Sequence, residues 1–161
     1  MRKDYSLAED ILLKRMNGEK TMNNIIIQDG TEAICNHCYA GNHDVNYVSI
    51  AGSVKEIGVG AFSYCTSLET VTINEGLKRL KKEVFSGCRS LREINIPGSL
   101  QSIGEWAFRG CKSLKELKIP GSVIEICAES FLDCPNLTII AEEGTFAAEF
   151  AKRTGIPMKS A

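Results

Sequence analysis

The residues best suited to chemistry in this chain lie close together: Cys35-Asn36-His37-Cys38, with His43 just beyond. A C-x-x-C pair plus an imidazole supplies three of the four tetrahedral ligands that a structural zinc needs. The same pair can also cycle between dithiol and disulfide. Little else in the chain supports such a site, because His37 and His43 are the only histidines and no second C-x-x-C occurs. Nucleophilic catalysis fares no better. The histidines cluster without a Ser or Cys in a strained elbow, and no glycine-rich loop precedes a helix in phosphate-cradling form. The expectation is a chain that works without enzymatic chemistry, cofactor or metal.

The other cysteines reveal the frame that must position everything else. There are seven in all, so at least one thiol is unpaired within the chain. Cys65, Cys88, Cys111 and Cys134 step by 23 residues, as do Phe62, Phe85, Phe108 and Phe131. Leu68, Leu91, Leu114 and Leu137 keep the same step, and so do Ile57, Leu80, Ile103 and Ile126, and Ile50, Ile73, Ile96 and Ile119. Such a period marks stacked repeats. The units run 48–70, 71–93, 94–116 and 117–139, with a weaker copy at 25–47 and a partial one within 140–161. In this register Cys38 takes the place of Ala61 and Ala107, and Cys35 that of Gly58, Gly104 and Cys127. Both read as small buried side chains. The four-cysteine column reads as a ladder of packed, reduced thiols, so all seven thiols are expected to be free and metal-free.

Each unit has two halves. Leu91-x-x-Ile94-x-Ile96 and Leu114-x-x-Leu117-x-Ile119 place apolar residues on alternate positions, as in a short strand. Pro97-Gly98 and Pro120-Gly121 then end the strand. In Gly104–Cys111, the residues Ala107, Phe108 and Cys111 share one face of about two helical turns. Stacking gives one parallel strand per unit, ~4.8 Å from the next, with bulkier helical turns behind. The array should bend with its strands on the concave side. Residues 1–24 stand outside the repeat. Ser6-Leu7-Ala8-Glu9 fits a capping box and Leu7, Ile11 and Leu12 an apolar stripe, so a helix is expected to cover the open end of the core; the alternative is a flexible leader.

The recurring I-P-x-S-[VL]-x-x-I-G-x-x-A-F-x-G-C-x-S-L pattern, best seen in 94–116 and 117–139, resembles the BspA-type bacterial leucine-rich repeats over roughly residues 25 to 157. The segment Gly144–Lys152 resembles the closing piece that follows the last repeat of such arrays. The resemblance implies an α/β leucine-rich-repeat solenoid with parallel strands on the concave face and short helical turns on the convex face. It also implies a secreted or surface protein that contacts other proteins.

Composition agrees with a folded array and excludes several classes. Apolar residues make up 43% and charged ones 24%, unlike a disordered chain. A net charge of −1 gives no overall field toward nucleic acid or acidic membranes. No apolar run approaches the ~18 residues that cross a bilayer. The first residues, Met1-Arg2-Lys3 followed by Asp4, Glu9 and Asp10, do not read as a secretory leader. That, with reduced thiols, points to the cytoplasm, whereas the resemblance points outside the cell. The basic run Lys78-Arg79, Lys81-Lys82 gives unit 71–93 six cations against three anions. It falls off the concave face and lacks aromatics for base stacking, so it reads as a solvated face. Trp106, the single tryptophan, is expected on the convex side, either half-packed or as an interface anchor.

Outward strand positions have no core duty. They are Tyr47, Ser49 and Ala51, then Thr70, Thr72 and Asn74, and then Glu93, Asn95, Glu116 and Lys118. They form a mixed polar strip without an aromatic cluster, suited to a protein or peptide partner and not to a buried small molecule. The expected function is therefore a non-catalytic protein-binding module using Tyr47, Ser49, Thr70, Thr72, Asn74, Glu93, Asn95, Glu116 and Lys118. The alternative is a scaffold that self-associates weakly through convex or end surfaces.

Overall fold

A computed structural model describes residues 23–161; the helix expected within residues 1–24 lies outside the described residues. The inward apolar alternation produces a ladder of parallel strands, one per turn of a solenoid. They are β1 (Asn23–Ile27), β3 (Val45–Ile50), β5 (Thr70–Ile73), β7 (Glu93–Ile94), β9 (Glu116–Lys118), β11 (Thr138–Ala141) and β12 (Met158–Ser160). Val48 pairs with Val71 and Val71 with Ile94, so each inward column stacks on itself. The hydrogen-bonded ladder divides into β1-β3-β5-β7 and β12-β11-β9. It thins at β7, which is two residues long, because Pro97 closes the strand and has no N–H to donate. From β9 to β11 the register step is 22 residues instead of 23: Glu116 pairs with Thr138 and Leu117 with Ile139.

A second ladder was not foreseen. The short strands β2 (Ala33–Ile34), β4 (Glu56–Ile57), β6 (Arg79–Leu80), β8 (Ser102–Ile103) and β10 (Glu125–Ile126) pair turn to turn in parallel as β2-β4 and β6-β8-β10. Each is an exposed or half-exposed residue followed by a buried aliphatic. Two residues are too few for a period-2 pattern to register in the sequence.

The convex segments are hydrogen-bonded turns, not the expected helical turns. In residues 58–65 the N–H groups alternate in direction. Ala61, Ser63 and Cys65 donate within the turn, to Gly58, Gly60 and Phe62. Gly60, Phe62 and Tyr64 donate to Lys82, Val84 and Ser86 of the next turn. Left-handed backbone recurs at Gly60 (φ 59°), Glu83 (φ 61°) and Trp106 (φ 56°), and again at Tyr64 (φ 57°), Gly87 (φ 73°) and Gly110 (φ 71°). Two left-handed residues per turn break the helical run and free every second N–H to reach the neighbouring repeat. Among the described residues the α-helix is α1 (Phe146–Thr154).

Between the strand ladder and the convex turns runs an aromatic spine. Tyr39, Phe62, Phe85, Phe108 and Phe131 stack in parallel, with ring centroids 5.2, 5.7, 5.7 and 5.5 Å apart. Phe62, Phe85 and Phe108 are fully buried. Phe150 of α1 meets Phe131 edge-on at 6.0 Å and ends the spine. The Thr145 side chain accepts from Ala148 N–H at the start of α1, and Gly155 (φ 75°) closes its C-terminus, so the helix seals one end of the core with Ala147, Ala148, Phe150 and Ala151.

The cysteine column is more than small apolar filling. Cys65 Sγ donates to the Tyr39 carbonyl at 3.2 Å, Cys88 to Phe62 at 3.2 Å, Cys111 to Phe85 at 3.3 Å and Cys134 to Phe108 at 3.0 Å. Each thiol thus clips its turn to the aromatic position of the turn before. Burial pushes Cys65 and Cys134 up to about 11 and raises Cys88 and Cys111 further, because a thiolate would lose hydration there.

Candidate functional site

The outward strand residues are set by the same alternation that buries the core, so they form columns across the strand ladder. One column runs Tyr47, Thr70, Glu93, Glu116, Thr138; the other begins Ser49, Thr72 and ends Lys118, Ile140. Six of the nine expected site residues, Thr70, Thr72, Glu93, Asn95, Glu116 and Lys118, line one open groove of about 1000 Å³. Tyr47 and Ser49 lie one strand away on β3, and Asn74 is exposed just past β5; none of the three lines the groove.

Two expected residues have structural duties that the strand pattern did not reveal. Asn95 accepts from Ile73 N–H at 2.8 Å and its Nδ2 donates to Ile73 O at 2.6 Å. Its amide replaces a rung that the two-residue β7 cannot supply, so Asn95 is not free of the fold as the alternation implied. Tyr47 Oη donates to Thr72 Oγ1 at 3.3 Å across β3 and β5.

The groove is also lined by Arg92, Lys112, Ser113, Lys115 and Asn136, which lie outside the strands, and by Ile140 of β11. Most come from the loops that lead into the strands. A sequence signal existed, since Arg89 and Lys112, and Arg92 and Lys115, are each 23 residues apart. Ser113 N–H donates to Arg89 O at 3.2 Å and Asn136 Nδ2 to Lys112 O at 2.9 Å, which holds these loops in register. The lining carries four cations, Arg92, Lys112, Lys115 and Lys118, against Glu93 and Glu116. Lys159 of β12 donates to Glu116 at 2.6 Å. The strip is therefore basic along its rim, and not evenly mixed.

The other candidate residues resolve differently. Cys35 and Cys38 are joined as a disulfide with Cα atoms 5.4 Å apart, which corrects the expectation of seven free thiols; Cys65, Cys88, Cys111, Cys127 and Cys134 are free. Both half-cystines are exposed, although Gly58 and Ala61 of the same columns are buried. The pair sits in the first described turn, where no earlier described turn covers it. The column of Cys35 also holds Lys81, so small size is not its rule. His43 Nδ1 lies 2.9 Å from Thr66 Oγ1, turned toward the next repeat. Among the described residues no three His, Cys, Asp or Glu side chains gather as metal ligands.

Trp106 is half-buried and already partnered. Its Nε1 donates to Glu129 at 2.6 Å, and Lys82 Nζ and the Arg109 guanidinium lie 4.4 and 5.4 Å from the ring centre. Within the basic run, Lys81 pairs with Glu56 and Lys82 with Glu105, as befits a solvated face. No helix among the described residues is long and apolar enough to cross a membrane.

Known proteins resemble this geometry. A leucine-rich cell surface protein of Faecalibacterium prausnitzii matches with a TM-score of 0.70 and 30% identity, over 86% of this chain and 35% of that one. A leucine-rich repeat protein of Bacteroides ovatus matches at 0.68 and 32%, over 73% and 33% of the two chains. The T. pallidum leucine-rich repeat protein matches at 0.67 and 32%, over 73% and 57%. This chain thus spans about a third of the length of the first two. No curated protein matches it significantly. The family model described as BspA type leucine-rich repeat region matches residues 16–138 in six copies. Turn spacing, strand ladder and family pattern agree: the chain belongs to the BspA-type leucine-rich-repeat family.

Proposed function

We propose that the protein is a non-catalytic binding module that holds a protein or peptide partner on its strand face. The observation that carries this reading is the groove itself. Thr70, Thr72, Glu93, Glu116 and Lys118 project from the strands of successive turns into an open trough while the core is filled by the alternate residues. Side chains fixed by strands present a preorganised surface, and preorganisation lowers the cost of binding. The F. prausnitzii relative is described as a cell surface protein, and a surface location for this chain is part of the same proposal. The rival reading, assembly through the convex face with Trp106 as anchor, has less support. That ring is already met by two cations and donates its N–H to Glu129.

A photo-crosslinking side chain placed at Thr72 should yield covalent adducts with a captured partner, while the same group at Glu129, on the convex side, should yield none. Adducts from Glu129 alone would transfer the function to the convex face. Adducts between copies of this chain would support scaffolding.

A further inference from the structure

We infer that the strand-face groove is built for an acidic, extended peptide segment, whose carboxylates would be met by Arg92, Lys112, Lys115 and Lys118. The inference rests on the strand-face reading above and adds the chemistry of the partner. Its basis is the gathering of four cations around one open trough. Some cations of the array are answered by a carboxylate, as Lys81 is by Glu56, Lys82 by Glu105 at 3.0 Å and Arg109 by Asp133 at 3.8 Å. Others, such as Lys78 and Arg79, make no such pair among the described residues, but it is around the groove that such cations collect. Arg92, Lys112, Lys115 and Lys118 make no ion pair among the described residues, and Arg92, Lys112, Lys115 and Lys118 are all exposed.

The repeat also stacks like on like. Arg92 and Lys115 hold one position in successive turns, and Arg89 and Lys112 another. Turns stacked ~4.8 Å apart bring such charges close, and like charges held near one another repel. Packing alone gives no reason to keep them, so the compensating charge is expected from outside.

A peptide fits the groove better than a uniform polyanion. Glu93 and Glu116 share the groove and would repel an unbroken run of phosphates or sulfates, whereas backbone N–H groups can donate to Glu93 and Thr70. No aromatic side chain lines the groove to stack on bases. From β5 to β11 is three turn spacings, roughly 14 Å, which about five extended residues cover at ~3.3 Å each.

The test uses the full chain and a fluorescently labelled peptide of ~12 alternating Glu and Thr residues, long enough to span the groove. Equal-length probes carry Gln or Lys in place of Glu, and a single-stranded oligonucleotide completes the set. Anisotropy titrations should rank the Glu peptide tightest, with affinity falling as salt rises. Arg92→Glu with Lys115→Glu should weaken it about tenfold or more, since each removes one attraction and adds one repulsion. Lys78→Glu with Arg79→Glu, an equal charge change beside β6, should change it less than about twofold. Equal losses in the two double variants, preference for the oligonucleotide, or no binding of the Glu peptide at millimolar concentration would each overturn the inference. So would tighter binding of the Gln or Lys peptide. In that last case Thr70→Trp separates the two claims. If it blocks the neutral or basic peptide, the strand face stands and only the acidic class falls; if it does not, both fall.

Discussion

Cys65, Cys88, Cys111 and Cys134 are held by two effects that reinforce one another. Burial raises the thiols' proton affinity, and each S–H spends its proton on a carbonyl of the preceding turn. These thiols should resist alkylation at neutral pH in the native state, since the thiolate is the nucleophile. A denatured, unreduced sample should titrate five thiols and a reduced one seven; seven without reductant would show that Cys35 and Cys38 are not joined. The shift also has a stability consequence. In the unfolded chain the thiols ionise near the ordinary value of 9.0, whereas Cys65 and Cys134 hold their protons up to about 11 when folded. Between these values the unfolded state binds fewer protons, so stability falls as pH rises. The contribution is fully present below 9 and is lost as pH climbs toward 11. Urea midpoints at neutral and alkaline pH should show the fall, and replacing Cys65 and Cys134 by Ala should lessen its slope, Cys88 and Cys111 supplying the rest. An unchanged slope in that variant would assign the fall to other groups.

Among the elements, the aromatic spine and the turn ladder carry the most specific expectations. Phe85 is fully buried and stacked on both sides, so Phe85→Ala should cost about 3–5 kcal/mol in chemical denaturation. A loss under ~1 kcal/mol would mean that the spine repacks. The left-handed column behaves differently. Glu83 holds φ 61°, a conformation that costs a non-glycine residue roughly 1 kcal/mol or more. Glu83→Gly should therefore stabilise the protein by up to about 1 kcal/mol despite the entropy glycine adds to the unfolded chain. A clear destabilisation would show that the Glu83 side chain contributes more than its backbone costs. At α1, Thr145→Ala removes the cap on Ala148 N–H and should cost about 1 kcal/mol, read as a lower melting temperature.

At the scale of the whole molecule, a solenoid must close its ends, because each turn covers only its neighbours. Here one closure is visible. α1 lays Phe150 against Phe131, and β12 pairs with β11 through Ile139–Ala141. Removing residues 142–161 would bare Phe131, Leu137 and Ile139 at the end of the core, together with an open strand edge. The shortened chain should oligomerise or precipitate in light-scattering measurements while retaining strand signal in circular dichroism. If it stays monomeric with an unchanged midpoint, the last turn does not need its cover.

The 23-residue step of Phe, Leu, Ile and Cys was enough to read the solenoid, its parallel strands and its core from the chain alone. Repetition makes one turn's packing the packing of all, so a core column such as Phe62–Phe131 needs no long-range information. Alternation likewise placed Thr70, Thr72, Glu93, Glu116 and Lys118 outward, correctly on the strand face. What alternation cannot carry is what an outward side chain touches. Asn95 bonds the Ile73 backbone because β7 is short, and that depends on the neighbouring strand's length. The basic rim arises because the loops bearing Arg92, Lys112 and Lys115 turn toward the groove, although their residues are not in any strand. Helical spacing in Gly104–Cys111 suggested helix, but the left-handed residues and the hydrogen bonds to the next turn exist only once two repeats are stacked. Sequence periodicity determined the array and its buried columns; the tertiary structure decided which exposed groups meet, since turn-to-turn contact is made across space and not along the chain.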